Sequence, residues 1–358
     1  MAVQGDEPCY RRFHRGQARP VVVRQAPLEE DGHRRVQGGG HGIAVSNSTR
    51  RKKTGRHAIW WLQAAGLKLF WGVSARLPPA RASAFGRRVI GWIGPRSRMH
   101  AGVLANLSMA FPERSPAEIR LLGAEMWESL GATLAEYPHL RTLAGEGGGS
   151  PHLEVRNLSG VEDLGGNGPF IFISAHLANW ELMALAVRHR CGRPLGMLYN
   201  PQKNPRLEAM IQGQREAMKS RYIPVKNAVH GLFRSLRRGE SVALLMDYRV
   251  KGGDLIPFFG VPATTSTAPA WLAARTGCGV IPVGMERLGD ARYRLTFHPP
   301  LYMEAGDKPA REAIDAFTGQ LNERVAELIR AAPGQWLCTK RRWPEEAMKS
   351  VLGRRTST

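Results

Sequence analysis

The sequence predicts an α/β protein with a helical N-terminal part. Beyond residue 150, short apolar strand-like runs alternate with helical ones; between 79 and 145 helical patterns dominate; and residues 58–75 form one aromatic-rich apolar stretch. Such alternation is the pattern of a sheet whose strands are covered by intervening helices. The chain has 358 residues, 43% of them hydrophobic, enough for one large domain or two modest ones with a substantial core.

Residues 1–54 carry Gly38-Gly39-Gly40, scattered arginines and the run S-N-S-T-R-R-K-K without sustained hydrophobic periodicity. They read as a disordered basic tail and lack the apolar centre of a secretory signal. Such a tail either touches anionic lipid or reflects a start codon placed too far upstream. Residues 55–78 read as a membrane-anchor helix. The stretch A-I-W-W-L-Q-A-A-G-L-K-L-F-W-G-V-S-A lies at the lower length limit for crossing a bilayer and contains Gln63 and Lys68. Trp60, Trp61 and Trp71 lie near its ends, and Arg and Lys flank both sides. That arrangement fits a helix lying in the membrane interface better than a clean span; an amphipathic core helix fits the same length.

In the helical region 79–145, Ser115-Pro116-Ala117-Glu118 supplies an N-cap, a proline at the first helical position and an acid in the first turn. Leu121, Met126, Leu130 and Leu134 give the following helix an apolar face. Gly145 to Gly149 read as a linker, 151–345 as the α/β core of a domain spanning 79–345, and 346–358 as a flexible tail. Strands are expected at 153–157, 170–174, 195–199, 222–225, 241–246, 279–285 and 292–298. Helices are expected at 179–189, 205–220, 228–238, 266–276 and 308–332.

Chemistry concentrates at F-I-F-I-S-A-H-L-A-N-W-E-L-M, residues 170–183. A buried strand ends near Ser174-Ala175, His176 follows, and Glu181 comes five residues later. In one regular helix such residues diverge by about 140°, but a strand-to-helix turn breaks that phase and lets them converge. A His paired to a carboxylate at a strand end suits a general base, because the carboxylate fixes the tautomer and stabilises the imidazolium. A structural His at a surface turn has the same spacing. Asn179 and Trp180 shape the turn or the substrate mouth, although Asn179 is equally a helix cap.

A net charge of +21 favours anionic partners. Nucleic acid is the first rival, but the chain has no zinc-finger spacing, RNP-like strand or basic-region heptad, and its arginines are dispersed as pairs. Cys9, Cys191, Cys278 and Cys338 are widely spaced and suggest reduced thiols. No metal-ligand spacing, P-loop or GxGxxG after a strand occurs, so neither metal nor nucleotide cofactor is expected.

The string H-L-A-N-W-E resembles the H-x-x-x-x-D/E motif of the glycerolipid acyltransferase superfamily, and N-W-E is most similar to the branch that adds secondary acyl chains to lipid A. Other blocks resemble that family in the same order: N-L-S-M-A-F-P-E at 106–113, N-P-R-L at 204–207 with Arg215, L-M-D-Y at 245–248, P-F-F-G at 257–260, and A-P-G-Q-W-L at 332–337 with Arg341-Arg342-Trp343. Together they span about residues 57–345. Tyr199-Asn200-Pro201 replaces the family's Tyr-Arg-Pro, Tyr248 stands where Gln is frequent, and Cys338 where Trp is common.

The resemblance implies a glycerolipid-acyltransferase-like α/β fold, a mixed central sheet flanked by helices with an N-terminal membrane-associated helix. It also implies transfer of a fatty acyl chain from acyl carrier protein, or from acyl-CoA, to a hydroxyl of a lipid A precursor. The expected place is the cytoplasmic face of the inner membrane, on an anionic surface. His176 is then the base and Glu181 its orienting partner. Lys203, Arg206 and Arg215 become candidates for acceptor phosphate, and Asp247 a further substrate-binding candidate. Rival readings are acylation of a lysophospholipid, ornithine lipid or mannosylated inositol lipid, and a non-catalytic basic membrane- or nucleic-acid-binding protein. The intact His176/Glu181 pair argues against the last.

Overall fold

The computed structural model describes residues 46–145, 149–192, 194–216, 221–224, 228–304 and 309–349. Most of the expected basic tail, the centre of the glycine linker and residues 350–358 lie outside them. The tail nonetheless ends earlier than expected: α1 (Ser46–Ser74) begins inside the segment 1–54. At the other end, residues 345–349 are helical, and Ala347 and Met348 pack against the core.

The N-terminal helices are α1, α2 (Pro79–Ile93), α3 (His100–Ala110), α4 (Pro116–Glu136) and α5 (Leu140–Ala144). Ser115 and Glu118 close a reciprocal capping box at the start of α4, with Pro116 at the first helical position, so the sequence signal at 115–118 sets that boundary. Gly86 of α2 and Gly131 of α4 face each other so closely that a Cβ on either would run into the other's carbonyl. The absence of side chains there lets the two helices meet backbone to backbone.

Strands β1 (Leu153–Asn157), β2 (Ile171–Ser174), β3 (Gly196–Tyr199), β4 (Arg221–Pro224), β5 (Val242–Leu245), β8 (Val280–Gly289) and β9 (Arg292–Phe297) form one sheet in the order β1-β9-β8-β2-β5-β3-β4. All neighbours are parallel except β8 and β9, which form an antiparallel hairpin. The sheet is therefore mixed. Helices α6 (Trp180–Cys191), α7 (Pro205–Glu216), α8 (Ala228–Arg237), α9 (Ala268–Thr276) and α10 (Arg311–Ala331) complete the core. A separate antiparallel hairpin, β6 (Asp254–Phe258) and β7 (Val261–Thr265), turns at Phe259-Gly260, both with positive φ.

The central strand is buried on both faces, which is why I-F-I-S reads as a continuous apolar run. Its period of two divides the core. Ile171 and Ile173 join Val242, Leu244 and Val280 beneath α8, α9 and α10, while Phe172 joins Ile281, Val283 and Leu295 on the α5/α6 side.

Helix α1 presents two apolar faces. Trp71 is buried, stacks on Tyr137 and donates its indole N–H to the Leu134 carbonyl at 2.9 Å. Asn204, just before α7, donates to the Trp60 carbonyl and to Gln63 Oε1. Ile59, Leu62, Leu69 and Val73, spaced at helical intervals on another face, are exposed, Leu69 at 72%. Among the described residues no helix is long and apolar enough to cross a membrane.

The α2/α4 crossing gives a direct test. Gly86→Val should force the helices apart and lower stability by about 1–3 kcal/mol, the usual range for overpacking. Urea unfolding of the purified variant measures this; an unchanged midpoint would mean that the helices do not meet at these glycines.

Candidate active site

The register of the central parallel pair builds the site. Ser174 on β2 lies opposite Leu245 on β5. Two residues beyond each strand, at the C-terminal edge where α/β sheets gather functional groups, His176 meets Asp247. His176 Nδ1 lies 2.8 Å from Asp247 Oδ1, and its backbone N–H donates to Asp247 Oδ2 at 3.1 Å. The C-terminal segment runs alongside: Leu177 bridges Trp336, and the Leu337 N–H donates to the His176 carbonyl. This brings the Trp336 indole N–H onto Asp247 Oδ2 at 3.0 Å. Burial opposes the charge on Asp247, but the imidazole, the His176 N–H and the Trp336 indole outweigh it and hold the carboxyl below its ordinary range. An ionised Asp247 accepts from Nδ1–H, so the Nε2 lone pair of His176 is left to act as a base. The His176 side chain is 13% exposed, Asp247 not at all, the arrangement of a reactive group backed by a buried one.

Two rings fix the imidazole further. Tyr248 stacks on it with centroids 4.1 Å apart and planes 20° apart, and Trp180 approaches edge-on at 5.6 Å. Lys340 Nζ lies 4.8 Å from the Tyr248 ring centroid.

Glu181, expected to orient His176, does something else. Ala178 turns the chain through a left-handed conformation (φ 46°), and Asn179 caps α6 by accepting the Leu182 N–H at 3.0 Å. Thr133 donates to the Ala178 carbonyl and secures the turn. Glu181 therefore falls in the first helical turn, where a carboxylate is favoured, with its side chain turned into the protein. It accepts from Tyr137 Oη at 2.9 Å and from Arg215 at 2.5 and 3.2 Å. Burial opposes the Arg215 charge, yet Glu181 more than restores it and raises the guanidinium above its ordinary value. Burial and the Glu181 charge push the Tyr137 phenol far up, so it remains a donor.

Arg215 is thereby committed inside the protein, also lying between Tyr199 and Tyr222 at about 5.5 Å from each ring, and is not an open phosphate ligand. Lys203 and Arg206 are exposed at the start of α7, beside the Asn204 link to α1. Asn179 is a buried cap whose amide N–H also donates to Glu136, which excludes a mouth-lining role. Trp180 lies edge-on against His176.

A second buried charge cluster lies behind the turn and has no counterpart among the sequence expectations. Glu136 accepts from Arg287, Asn179 and Tyr293, and Arg287 also donates to Thr133 and Ser83. Gln335 bonds both the N–H and the carbonyl of Arg287, and so joins β8 to the segment carrying Trp336. Arg342 is buried too, donating to Thr264 and Thr265 over the Phe258 ring, and burial pushes it down to about 10. Among the described residues no cluster of His, Cys, Asp and Glu has the makings of a metal site.

Residues 48–345 match the family model described as bacterial lipid A biosynthesis acyltransferase. The chain is 26% identical over 299 residues to a lipid A biosynthesis palmitoleoyltransferase of Escherichia coli (strain K12), covering 80% of this chain and 92% of that one. It is 24% identical over 307 residues to the lipid A biosynthesis lauroyltransferase of the same organism, with the same coverage. A phosphatidylinositol mannoside acyltransferase of Mycobacterium tuberculosis (strain ATCC 25618 / H37Rv) is 26% identical over 210 residues, 57% of this chain and 61% of that one.

The internal position of Glu181 has a measurable consequence. Glu181→Ala leaves a partly buried guanidinium and a buried phenol without their acceptor, and should cost roughly 3–5 kcal/mol of stability. Glu181→Gln keeps one acceptor oxygen and should cost less. Denaturant unfolding of both variants tests this, and full stability in Glu181→Ala would return the carboxylate to a purely catalytic role.

Proposed function

The chain belongs to the bacterial lipid A biosynthesis acyltransferase family and is an acyltransferase, and we propose that it moves a fatty acyl chain from an acyl thioester to a hydroxyl of a lipid A precursor, with His176 as general base and Asp247 as the carboxylate that holds it. The observation that carries this reading is the 2.8 Å contact between His176 Nδ1 and a fully buried, ionised Asp247, which frees Nε2 for a substrate proton. Nε2 takes the proton as the acceptor oxygen attacks the thioester carbonyl. The tetrahedral intermediate collapses by breaking the C–S bond, and the imidazolium returns the proton to the departing thiolate. A thioester has a good leaving group, so a base and an oriented hydroxyl suffice without a covalent enzyme intermediate.

The donor in this reading is acyl carrier protein, whose acidity suits a chain of net charge +21; acyl-CoA is the competing donor. The place of action is the cytoplasmic face of the inner membrane. The exposed row Ile59, Leu62, Leu69 and Val73 on α1, with Trp92 and Ile93 exposed at the end of α2, supports docking in the bilayer interface. Lys203 and Arg206, beside the α1 link, then meet anionic headgroups instead of the acceptor phosphate.

Mass spectrometry of membrane lipids from cells with and without the gene tests the reaction: a lipid A species lacking one acyl chain should accumulate without it. Gain or loss confined to another lipid class would redirect the acceptor. In vitro, His176→Ala and Asp247→Asn should each lower turnover by about 10²–10⁴-fold while folding normally. Wild-type turnover in a folded His176→Ala variant would end the mechanism.

Membrane docking is tested separately. Leu62→Glu with Leu69→Glu should sharply reduce cosedimentation with phosphatidylglycerol-containing vesicles without altering the circular dichroism spectrum. Removing charge by Lys203→Ala with Arg206→Ala should weaken it modestly and mainly at low salt, because these are screened surface charges. Undiminished binding by the double glutamate variant would show that α1 does not dock.

A further inference from the structure

We propose that Tyr248 is a positioning residue for His176, holding the imidazole plane and favouring its protonated form through face-to-face stacking. The inference rests on His176 being the base, as above. Asp247 and Tyr248 are consecutive, so one dipeptide leaving β5 supplies both the acceptor at Nδ1 and the ring against the imidazole face, 4.1 Å away with planes 20° apart. Trp180 meets the imidazole only by its edge. A hydrogen bond to Nδ1 alone leaves the imidazole free to rock about that bond; a stacked ring removes this freedom and so fixes the direction of the Nε2 lone pair. The π face of an aromatic ring also attracts a cation, which favours the imidazolium that forms as the acceptor hydroxyl is deprotonated.

The other groups around His176 do not supply this. Asp247 acts in the ring plane, and Trp336 bonds the far carboxylate oxygen. Burial and the Asp247 charge push the Cys338 thiol up, Asp247 partly offsets the burial of the Arg342 charge, and Arg342 is fixed to Thr264 and Thr265. Lys340 lies against the Tyr248 ring, where its charge opposes a second cation and offsets part of what the stacking contributes. Burial and the neighbouring Asp247 push the Tyr248 phenol well above its ordinary value. The phenol therefore stays neutral through the working pH range, and the effect belongs to the ring.

The test compares Tyr248→Phe, which keeps the ring, with Tyr248→Leu, which removes it. Tyr248→Leu should lower kcat about tenfold, the size expected of a desolvated cation–π contact, with the KM of donor and acceptor changed less than twofold. The acid limb of its kcat/KM profile should move to lower pH by about half a unit or more, because the imidazolium has lost a stabilising neighbour. Tyr248→Phe should recover most of the rate and the wild-type limb. NMR titration of His176 in histidine-labelled protein, assigned by comparison with His176→Ala, reads the same shift without relying on turnover. Unchanged titration and kcat in Tyr248→Leu, with His176→Ala inactive, would overturn the inference and leave the base assignment standing. Equal damage in Tyr248→Phe and Tyr248→Leu would also overturn it, since the hydroxyl would then be the active part. An active His176→Ala variant would instead remove the base assignment on which both stand.

Discussion

A single buried carboxylate sets the form of the site. Asp247 is wholly enclosed, and a charge in that position is tolerable only when both its oxygens are hydrogen-bonded. Three donors answer it from two distant parts of the chain: the imidazole and N–H of His176 after β2, and the indole of Trp336 from the C-terminal segment. Satisfying Asp247 therefore requires the β2/β5 register to be correct and the 335–337 segment to be docked along 176–178. A one-residue slip of β5 would put Met246 or Tyr248 where the carboxylate must be and leave a charge buried among apolar side chains. The site thus forms only with the complete sheet and its C-terminal flank.

Two further buried ion pairs extend this logic outward. Glu136 with Arg287 joins the end of α4 to β8, and Glu181 with Arg215 joins α6 to α7, with Tyr137 bridging back to the N-terminal helices. Pairs of this kind contribute little net stability compared with apolar replacements, but breaking one partner is costly. Their effect is selectivity of arrangement: each helix around the His176 turn has one position in which its charge is matched. Tyr137 also stacks on Trp71, so the same network reaches the inner face of α1 while its outer apolar row stays exposed.

The parts legible in the sequence are those whose cause is local. I-F-I-S is a strand because a doubly buried strand must be continuously apolar, and S-P-A-E starts a helix because its cap and first turn are all present within four residues. The hairpin β6–β7 is not legible in this way. Its strands carry Pro257 and Pro262, directly opposite one another, and proline normally argues against a strand; only the Phe259-Gly260 turn between them is visible as a block. Tyr248 stands out as a departure from the family pattern, but its stacking partner follows only from the β2/β5 register. The partners of Glu181 lie 34 and 44 residues away in the chain, and the cluster around Glu136 spans four elements, so neither has a spacing to read. Asp247 is legible only as a substrate-binding candidate at the end of an apolar strand; its pairing with His176 follows from the β2/β5 register.

The spacing between His176 and Glu181 takes on a different meaning once both are placed. Leu177 and Ala178 leave the strand and turn left-handed, Asn179 caps, and Trp180 and Glu181 open the helix. Trp180 faces back to the imidazole while Glu181, one residue or about 100° further round the helix, faces the interior. A turn of this length thus presents two chemistries from one element: an imidazole with an aromatic wall beside it, and a buried acid that anchors α6 to α7. Because Glu181 pins the first turn of α6, and that turn carries Trp180 against His176, the motif acid still bears on the imidazole. It does so through helix placement instead of a hydrogen bond, leaving Asp247 to set the tautomer.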